Sequence, residues 1–418
     1  MQLVKSQGPQ NNKRMTKVCI VSGLGSISRK IHPFPARMAP EIALSGLRFL
    51  PEGGTVLDPM CGSGTVLCEA LHQGHRAIGF DVDPLAVLIS RVSTRSVDTA
   101  RLAEVGDTIA GHAVRLQRTI LHIPWIDGDE DTLRFTKFWF ASEQRRALRS
   151  LVWLVMRMRG PVGDALRLAI SKIIVTKEPC ASLARDTSHS RPHRVTSAND
   201  YDVIQGFRRA VTQIVGELNR APATCPAVVR LGDARRLPLS LTGRADLVVT
   251  SPPYGNAIDY LRGHRMALVW LGYNIPRLRE MRRRSIGGQG TVEKKRFQRV
   301  VELAGELGLI SDLDLGTRRR LLRFTQDMWT ILEQIHRSLR PNGHAVLAVG
   351  NSSLKGMFID NANMIATAAE WVGLKEISRY SREIPANHRY LPPPQTKCDL
   401  HLSRRMSEEV VLAFKKVR

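Results

Sequence analysis

The stretch TVLDPMCGSGT, residues 55–65, decides the fold class. Its first residues are apolar and predict a short buried strand that ends at Asp58. The glycine-rich turn that follows runs into a helix predicted over residues 65–73. A second apolar strand, residues 77–80, ends at Asp81. This order of strand, glycine loop, helix, strand and acidic residue is typical of the start of a doubly wound α/β sheet.

Further strands and helices extend this pattern toward both ends of the chain. Apolar runs bounded by turn residues predict strands, and apolar residues at helical spacing predict helices. With the first two strands they predict an α/β fold whose doubly wound, mostly parallel sheet has seven strands. The additional strands are predicted over residues 228–231, 245–250, 345–349, 374–384 and 409–414, and further helices over residues 40–50, 84–95 and 361–372.

Two segments do not follow this alternation and are predicted to be inserts. Residues 96–226 carry mainly helical patterns. Residues 262–325 hold 15 Lys or Arg against 6 Asp or Glu, which makes this second insert the more concentrated positive patch. Such clusters are often no more than solvated helix faces. The insert contains the triplets Arg282-Arg283-Arg284, Lys294-Lys295-Arg296 and Arg318-Arg319-Arg320.

The overall charge of the chain points to a nucleic acid partner. The 418 residues include 62 Lys or Arg and 38 Asp or Glu, a formal net charge of +24. A surplus of this size favours a polyanion, because each neutralised phosphate releases a counterion. A merely basic surface or association with the ribosome is the alternative.

Cysteine, histidine and hydropathy patterns exclude several other classes. The six cysteines form no Cys-x-x-Cys pair, so neither a disulfide framework nor a zinc knuckle is expected, and a reducing cytoplasm fits. The 12 histidines lack metal-ligand spacing, so no metal site is expected. No apolar run approaches the length of a membrane span.

The glycine loop is predicted to bind a cofactor. It matches neither the Gly-x-Gly-x-x-Gly dinucleotide fingerprint nor a Walker loop. Asp81, about twenty residues further along the chain, is placed to accept hydrogen bonds from ribose hydroxyls. Asp233, after a third strand, is placed to accept from an adenine amino group. A tight structural turn is the alternative for the loop, and strand-end aspartates are often helix caps; here Asp83, directly before Pro84, is the expected cap.

Residues 250–254, Thr-Ser-Pro-Pro-Tyr, follow the most apolar strand and are predicted to be catalytic. An exocyclic amine is a poor nucleophile, because its lone pair is delocalised into the ring. The Ser251 side chain and the Pro252 carbonyl offer two acceptors that can hold its N–H bonds and direct the lone pair at a sulfonium methyl. Tyr254 offers a face on which an extruded base can stack. A rigid diproline turn is the structural alternative.

With these motifs the sequence resembles the S-adenosylmethionine-dependent amino-methyltransferases of DNA. Residues 58–65 resemble the family's Asp-Pro-x-x-Gly-Ser-Gly-Thr cofactor loop, and residues 251–254 its Ser-Pro-Pro-Tyr motif. Residues 32–37, His-Pro-Phe-Pro-Ala-Arg, resemble an additional cofactor-side motif. The resemblance implies a Rossmann-like methyltransferase fold whose last strand is antiparallel.

The resemblance also implies roles for individual residues. Ser at the first motif position is commoner in members that methylate cytosine N4, and Asp in those that methylate adenine N6, so cytosine is favoured. The cofactor-binding set would be Phe34, Pro35, Asp58, Gly62, Gly64, Thr65, Asp81 and Asp233, and the catalytic set Ser251, Pro252, Pro253 and Tyr254.

Nucleic-acid contacts are predicted at two places. Arg282, Arg283 and Arg284 are expected to contact phosphates rather than bases. The proline-braced loop over residues 385–396 is expected to deliver its residues to the same sheet edge as Ser251, if the strand before it is parallel. There His388, Arg389 and Tyr390 would lie beside the target base; a plain hairpin connection is equally open.

The chain is accordingly divided into six segments. They are a loose N-terminal tail (1–29), the cofactor-binding half (30–95), the helical insert (96–226), the catalytic-motif region (227–261), the basic insert (262–325) and the C-terminal half of the sheet (326–418). This order differs from the three family orders in which a recognition domain follows the catalytic half, ends the chain or precedes the catalytic motif.

Two other functions remain open at this stage. Some transfer-RNA guanine methyltransferases carry a related Asp-Pro-Pro-Tyr-Gly motif, and Gly255 follows Tyr254 here, so an RNA base is an alternative to DNA. A non-catalytic nucleic-acid-binding scaffold is the third hypothesis, against which the intact motifs argue. For the DNA enzyme, a cytoplasmic location is expected and a restriction nuclease is a possible partner.

Overall fold

The computed structural model describes ten ranges of the chain: residues 31–34, 37–185, 192–220, 226–253, 255, 260–288, 291–308, 313–354, 357–384 and 408–417. The predicted N-terminal tail, residues 1–29, lies outside the described residues. Within these ranges no helix is long and apolar enough to cross a membrane.

A seven-stranded sheet organises the molecule. In chain order its strands are β1 to β7, and their spatial order is β6-β7-β5-β4-β1-β2-β3. Two short ribbons, residues 184–185 with 193–194 and residues 352–354 with 357–359, lie outside it. The strand bounds are Thr55–Asp58 (β1), Arg76–Asp81 (β2), Val228–Leu231 (β3), Ala245–Thr250 (β4), Leu339–Gly350 (β5), Leu374–Glu383 (β6) and Glu408–Lys416 (β7).

Strand directions confirm the predicted α/β class. The five strands from β5 across β4 and β1 to β2 and β3 pair in parallel. The last strand, β7, is antiparallel to both β5 and β6. Strand β6 therefore runs in the same direction as β4, although β7, which lies beside it, is antiparallel to it. This is the Rossmann-like methyltransferase fold that the resemblance implied.

Alternation along the central strands explains why helices cover both faces of the sheet. Leu247 and Val249 of β4 pack on one face and Val248 on the other, as side chains of successive strand residues must. Helices α1 to α3 cover the first face and α12 to α14 the second. Their bounds are Pro40–Leu47 (α1), Thr65–His72 (α2), Pro84–Thr94 (α3), Phe297–Gly305 (α12), Leu315–Ser338 (α13) and Asn361–Trp371 (α14).

The remaining helices form a second core beside α3. Phe140 and Trp270 are fully buried there, with ring centroids 5.2 Å apart in an edge-to-face arrangement. Although α10 and α11 mostly fall in the segment predicted as a basic insert, they share this core with the helical insert. The bounds are Thr99–Leu116 (α4), Pro124–Asp127 (α5), Glu130–Trp139 (α6), Ser142–Val155 (α7), Gly160–Lys172 (α8), Val203–Arg220 (α9), Tyr260–Leu268 (α10) and Ile275–Arg283 (α11).

Helix α13 crosses the segment boundary drawn after residue 325. Phe324, Met328 and Ile331 are buried on one helical face, so the apolar stripe continues through that position. The cluster Arg318-Arg319-Arg320 lies within the first two turns of this helix. Helices α12 and α13 therefore pack on the sheet, whereas α10 and α11 pack on the helical insert.

Candidate functional site

A cavity of about 880 Å³ lies at the carboxyl edge of the sheet, where β1, β2 and β4 end. Its volume is in the range of small-molecule sites. The wall combines residues from three separately predicted sets. It includes Phe34, Asp58, Gly62, Thr65 and Asp81 of the cofactor set, Ser251 and Pro253 of the catalytic set, and Arg282 and Arg283 of the basic insert.

The glycine loop is shaped by two residues in the left-handed region. Gly62 has φ +48° and Gly64 has φ +83°, conformations that favour glycine. A Cβ on Gly64 would lie 2.9 Å from the Ser90 hydroxyl oxygen of α3. That hydroxyl donates to the Gly62 carbonyl over 2.8 Å, so the loop is pressed onto α3. Helix α2 begins at Thr65, and Thr65 and Val66 of its first turn line the cavity, so the helix N-terminus lies at the cavity wall.

Phe34 covers the glycine loop from above. A Cβ on Gly62 would lie 3.1 Å from Phe34 Cε1, which shows how closely the ring approaches the loop. The segment before it is anchored on α8, where His32 Nε2 bonds the Ser171 hydroxyl over 3.0 Å and Lys172 donates to the Ile31 carbonyl. Pro35, the second residue predicted to close over the cofactor, lies outside the described residues.

Asp58 links the cofactor loop to the catalytic strand. Thr250 donates its hydroxyl to Asp58 Oδ1 over 2.7 Å, and the Met60 N–H donates to the same oxygen over 3.1 Å. Asp58 is 3% exposed, and burial raises the pKa of its carboxyl to about 7 in spite of these two donors. The sequence indicated Asp58 but not its partner, since Thr250 reads as the end of a strand.

Asp81 lies on the opposite side of the loop. It accepts from the Gly62 N–H and from the Asp83 N–H, each over 2.9 Å. Burial, reinforced by the negative charge of Asp83, raises the pKa of this carboxyl to about 6. Asp81 thus fixes the loop and also faces the cavity that ribose hydroxyls would occupy.

Asp83 has two partners, one of which sequence reasoning missed. Its Oδ1 accepts from the Leu85 N–H over 2.8 Å, the cap expected before Pro84. Its Oδ2 accepts from Nδ1 of His264, a buried residue of α10. The His264 ring also lies 5.5 Å from the Phe34 ring, centroid to centroid. The local sequence does not predict the pairing of His264 with Asp83, because the two residues are 181 positions apart in the chain.

Asp233 is not brought to the cavity. Both of its carboxylate oxygens accept from the Arg235 guanidinium, at 3.0 and 2.7 Å, and Oδ1 caps a short 3₁₀ turn through the Arg235 N–H. Burial would raise the pKa of this carboxyl, but the bonds from Arg235 outweigh it and lower the pKa. Arg235 in turn pairs with buried Asp327, so Asp233 belongs to an ion-pair network beside the site.

The catalytic motif is oriented by the neighbouring strand. Ser251 donates its hydroxyl proton to the Ala348 carbonyl of β5 over 3.1 Å, which leaves the oxygen lone pairs available as acceptors. Pro252 is buried and Pro253 faces the cavity. Tyr254 lies outside the described residues. Gly255 faces the cavity too, and a Cβ there would lie 2.8 Å from Asn361 Oδ1.

Only part of the basic insert faces this cavity. Arg282 and Arg283 at the end of α11 contribute to the wall, while Arg284 pairs with Glu280 over 2.7 Å and does not. Three arginines outside the predicted nucleic-acid-binding set also line the wall: Arg279 of α11, and Arg319 and Arg320 of α13. None of Lys294, Lys295 and Arg296 lines it; Arg296 pairs with Glu333 and lies over the Trp329 ring.

The loop predicted to carry His388, Arg389 and Tyr390 lies outside the described residues. The direction of β6 brings its end, Glu383, level with Glu408 at the carboxyl edge of the sheet. Strand β6 therefore ends at the same edge of the sheet as β4. Across the ten described ranges, no group of three or more His, Cys, Asp or Glu is placed to hold a metal ion.

Comparison with known proteins agrees with this geometry. The family described as RMKL-like, methyltransferase domain matches residues 32–112, which include the glycine loop, Asp81 and Asp83. The chain is an S-adenosylmethionine-dependent methyltransferase. The match ends before residue 250, so it does not bear on the predicted catalytic motif.

Similarity to individual proteins extends over most of this methyltransferase. It is 22% identical to the type II methyltransferase M.MvaI of Kocuria varians over 93% of this chain and 91% of that protein. It is 20% identical to the type II methyltransferase M.BsoBI of Geobacillus stearothermophilus over 79% of this chain and 75% of that protein. A solved TehB-like SAM-dependent methyltransferase of Corynebacterium glutamicum is 14% identical, covering 90% of this chain and 86% of that one, with a TM-score of 0.29.

The raised pKa of Asp58 predicts how the stability of the cofactor-free protein depends on pH. The folded pKa, about 7, exceeds the ordinary value of 3.8, so the folded state retains this proton and loses the associated stability as pH rises through 7. Asp58→Asn mimics the neutral carboxyl. The Tm of the wild type should therefore fall relative to that of Asp58→Asn as pH rises from about 4 to about 7, and the difference should change little above that.

Asp107→Asn, on the exposed face of α4, provides the control. Its Tm difference from the wild type should change little over the same range. If the Tm difference between Asp58→Asn and the wild type were equally independent of pH, ionisation of Asp58 would not destabilise the folded protein.

The contrast between Asp81 and Asp233 predicts different effects on cofactor affinity. Asp81→Ala removes the carboxylate predicted to accept from the ribose hydroxyls and should weaken S-adenosylmethionine binding by about 1.5–3 kcal/mol. Asp233→Ala should leave the affinity near the wild-type value, because Asp233 faces Arg235 instead of the cavity. Calorimetric titration measures both. Unchanged affinity in Asp81→Ala would remove it from the site, and an equal loss in Asp233→Ala would restore its adenine role.

Proposed function

We propose that this methyltransferase transfers a methyl group from S-adenosylmethionine to an exocyclic amino group of a DNA base, with cytosine N4 as the favoured target. One observation carries the proposal: the Ser251 motif and the Gly62 loop line the same cavity. An acceptor for the amine and a cradle for the methyl donor are thereby held within one site. A restriction nuclease acting on the same DNA sequence and a cytoplasmic location are proposed with it.

Ser251 and Pro252 would bind the target amine. The Ser251 hydroxyl donates to Ala348, so its oxygen can accept one N–H of the amine. Pro252 lacks an N–H, and its carbonyl can accept the other. With both N–H bonds held, the nitrogen lone pair is turned out of conjugation with the ring and toward the cofactor side of the cavity. Preorganised acceptors of this kind act without reorganisation during the reaction.

The residues on the side of the cavity opposite the Ser251 motif fit S-adenosylmethionine. That cofactor, when bound, supplies an electrophilic methyl group on a positively charged sulfur. The glycine loop under Phe34 leaves room for backbone contact, and Asp58 and Asp81 give the cavity two carboxyls. A cationic ligand favours their ionised forms, which offsets the burial that raises both pKa values. Ser251 is too weak a base to remove the amine proton, so the proton would pass to water after the nitrogen is methylated.

Arginine placement supports a nucleic acid as the substrate. Arg282 and Arg283 on α11 and Arg319 and Arg320 on α13 are exposed at the cavity wall. Arginines at such positions can hold the phosphates beside an extruded nucleotide. Two of the relatives, M.MvaI and M.BsoBI, are named as type II methyltransferases, which supports DNA over RNA.

Product analysis tests the proposed reaction. The protein is incubated with isotopically labelled S-adenosylmethionine and either amplified genomic DNA, which lacks modified bases, or total RNA. Nucleoside mass spectrometry should then find label in N4-methylcytosine from DNA. Label in N6-methyladenine would change the base, label only in RNA would change the substrate, and none in either would refute the proposal.

Pro252→Ala provides the matched variant for this experiment. It keeps the carbonyl but loosens the backbone, so turnover should fall while calorimetric cofactor affinity stays near the wild-type value. Wild-type turnover in this variant would remove residues 251–254 from the catalytic role.

The uneven placement of the basic triplets predicts uneven effects on DNA binding. Replacing Arg282 and Arg283 with Ala should weaken binding to all duplexes alike and flatten the salt dependence by about one unit of slope per lost phosphate contact. The matched control replaces Lys294 and Lys295, which change the charge equally but do not line the cavity. Fluorescence anisotropy over a salt series compares them. Equal effects of the two pairs would mean that only net charge matters.

A further inference from the structure

The contact between His264 and Asp83 is buried at both ends. Their side chains are 7% and 6% exposed, and the carboxylate can only accept, so Nδ1 of the imidazole carries the proton that it donates. A buried polar pair of this kind is costly to break, because each partner is left without water or a substitute. It also joins two elements far apart in sequence, the N-terminus of α3 and the middle of α10.

The pair closes a ring of contacts around the cofactor end of the cavity. The Gly62 N–H donates to Asp81, and Asp81 accepts from the Asp83 N–H. Asp83 accepts from His264, whose ring faces Phe34. Phe34 packs closely over Gly62, which completes the ring of contacts. Four of these five residues come from the family-matched region 32–112, and His264 alone comes from the chain beyond the catalytic motif.

Helix α10 connects this ring to the catalytic side of the cavity. The helix begins nine positions after Ser251, and its Leu261 lines the cavity. His264 is three residues further, on the same helical face. The apolar residues Met266 and Leu268 pack in the core shared with α3. The bond from His264 to Asp83 adds a directional contact between the same two helices, at the end that faces the cofactor loop.

We propose that His264 is a positioning residue that ties α10, and with it the wall that receives the target base, to the cofactor end of the site. The inference rests on the proposed function. A purely structural buried histidine would affect stability and leave turnover of the folded protein intact. A positioning residue affects turnover at saturating cofactor, because the base is then presented to the methyl group in the wrong place.

Three substitutions separate these roles. His264→Leu keeps an apolar volume and removes the donor, and should lower kcat at saturating cofactor by about 10- to 100-fold, as misplaced reactants do. His264→Asn retains an N–H near the Nδ1 position and should keep most of the turnover. Asp83→Ser keeps a helix-capping oxygen but is too short to reach His264, so it should lose turnover as His264→Leu does.

The measurements are labelled methyl incorporation into amplified genomic DNA, calorimetric affinity for S-adenosylhomocysteine, and Tm. The double variant of His264→Leu with Asp83→Ser should lose no more turnover than either single variant, because both break one contact. If His264→Leu does not fold, His264→Asn and Asp83→Ser still decide. His112→Leu, on the exposed face of α4, should match the wild type.

Several results would overturn the inference. They are wild-type kcat in His264→Leu, His264→Asn as inactive as His264→Leu, additive losses in the double variant, and a loss confined to cofactor affinity. In each of these the wild-type enzyme still methylates DNA, and the proposed function stands. A wild-type protein that binds no cofactor and methylates no nucleic acid would instead refute the proposed function.

Discussion

A hydrogen bond of 2.7 Å from the Thr250 hydroxyl to the Asp58 carboxylate joins the two strand ends around which the site is built. Strands β1 and β4 are parallel neighbours, with Leu57 opposite Val248, so their carboxyl ends arrive together at one edge. Parallel pairing alone brings the cofactor loop near the catalytic motif. The buried bond between the side chains fixes their relative position, because either group left unpaired in this apolar setting would be costly.

The adjacent residue, Ser251, uses the same strand end differently. Thr250 is bound to the cofactor loop on one side, while Ser251 is bound to the Ala348 carbonyl of β5 on the other. The two hydroxyls thus tie the end of β4 to both of its neighbouring strands, β1 and β5. A slip of one residue in the register of β4 would move each of its side chains to the other face of the sheet. The apolar alternation of Leu247, Val248 and Val249 between two cores holds that register.

The parts of this site that the sequence predicts are those encoded within a few residues. The glycine loop, the Asp81 strand end and the Asp83 cap depend on local turns and helix starts, and the seven strands are visible as apolar runs. The pairs Asp83–His264 and Arg235–Asp327 are not predictable in this way, because their members lie in different segments of the chain. Asp233 shows the converse case: its strand-end position predicts a cofactor contact, but its bonds to Arg235, two residues later, depend on local geometry that the strand pattern does not show.

Charge composition was an equally incomplete guide to the nucleic-acid face. The sequence presents three basic triplets of similar appearance, and only packing distinguishes them. Those at the end of α11 and the start of α13 reach the cavity because these helix ends converge on it from two different cores. In the third triplet, residues 294–296, Arg296 pairs with Glu333 and lies over the Trp329 ring, away from the cavity lining. The segment that looked like one insert is thus divided between the helical insert and the sheet, and the cavity lies where the two meet. Any shift between those cores would change the distance between the arginines and the Ser251 motif, which makes the contacts of α10 and α13 as important to the geometry as the motif itself.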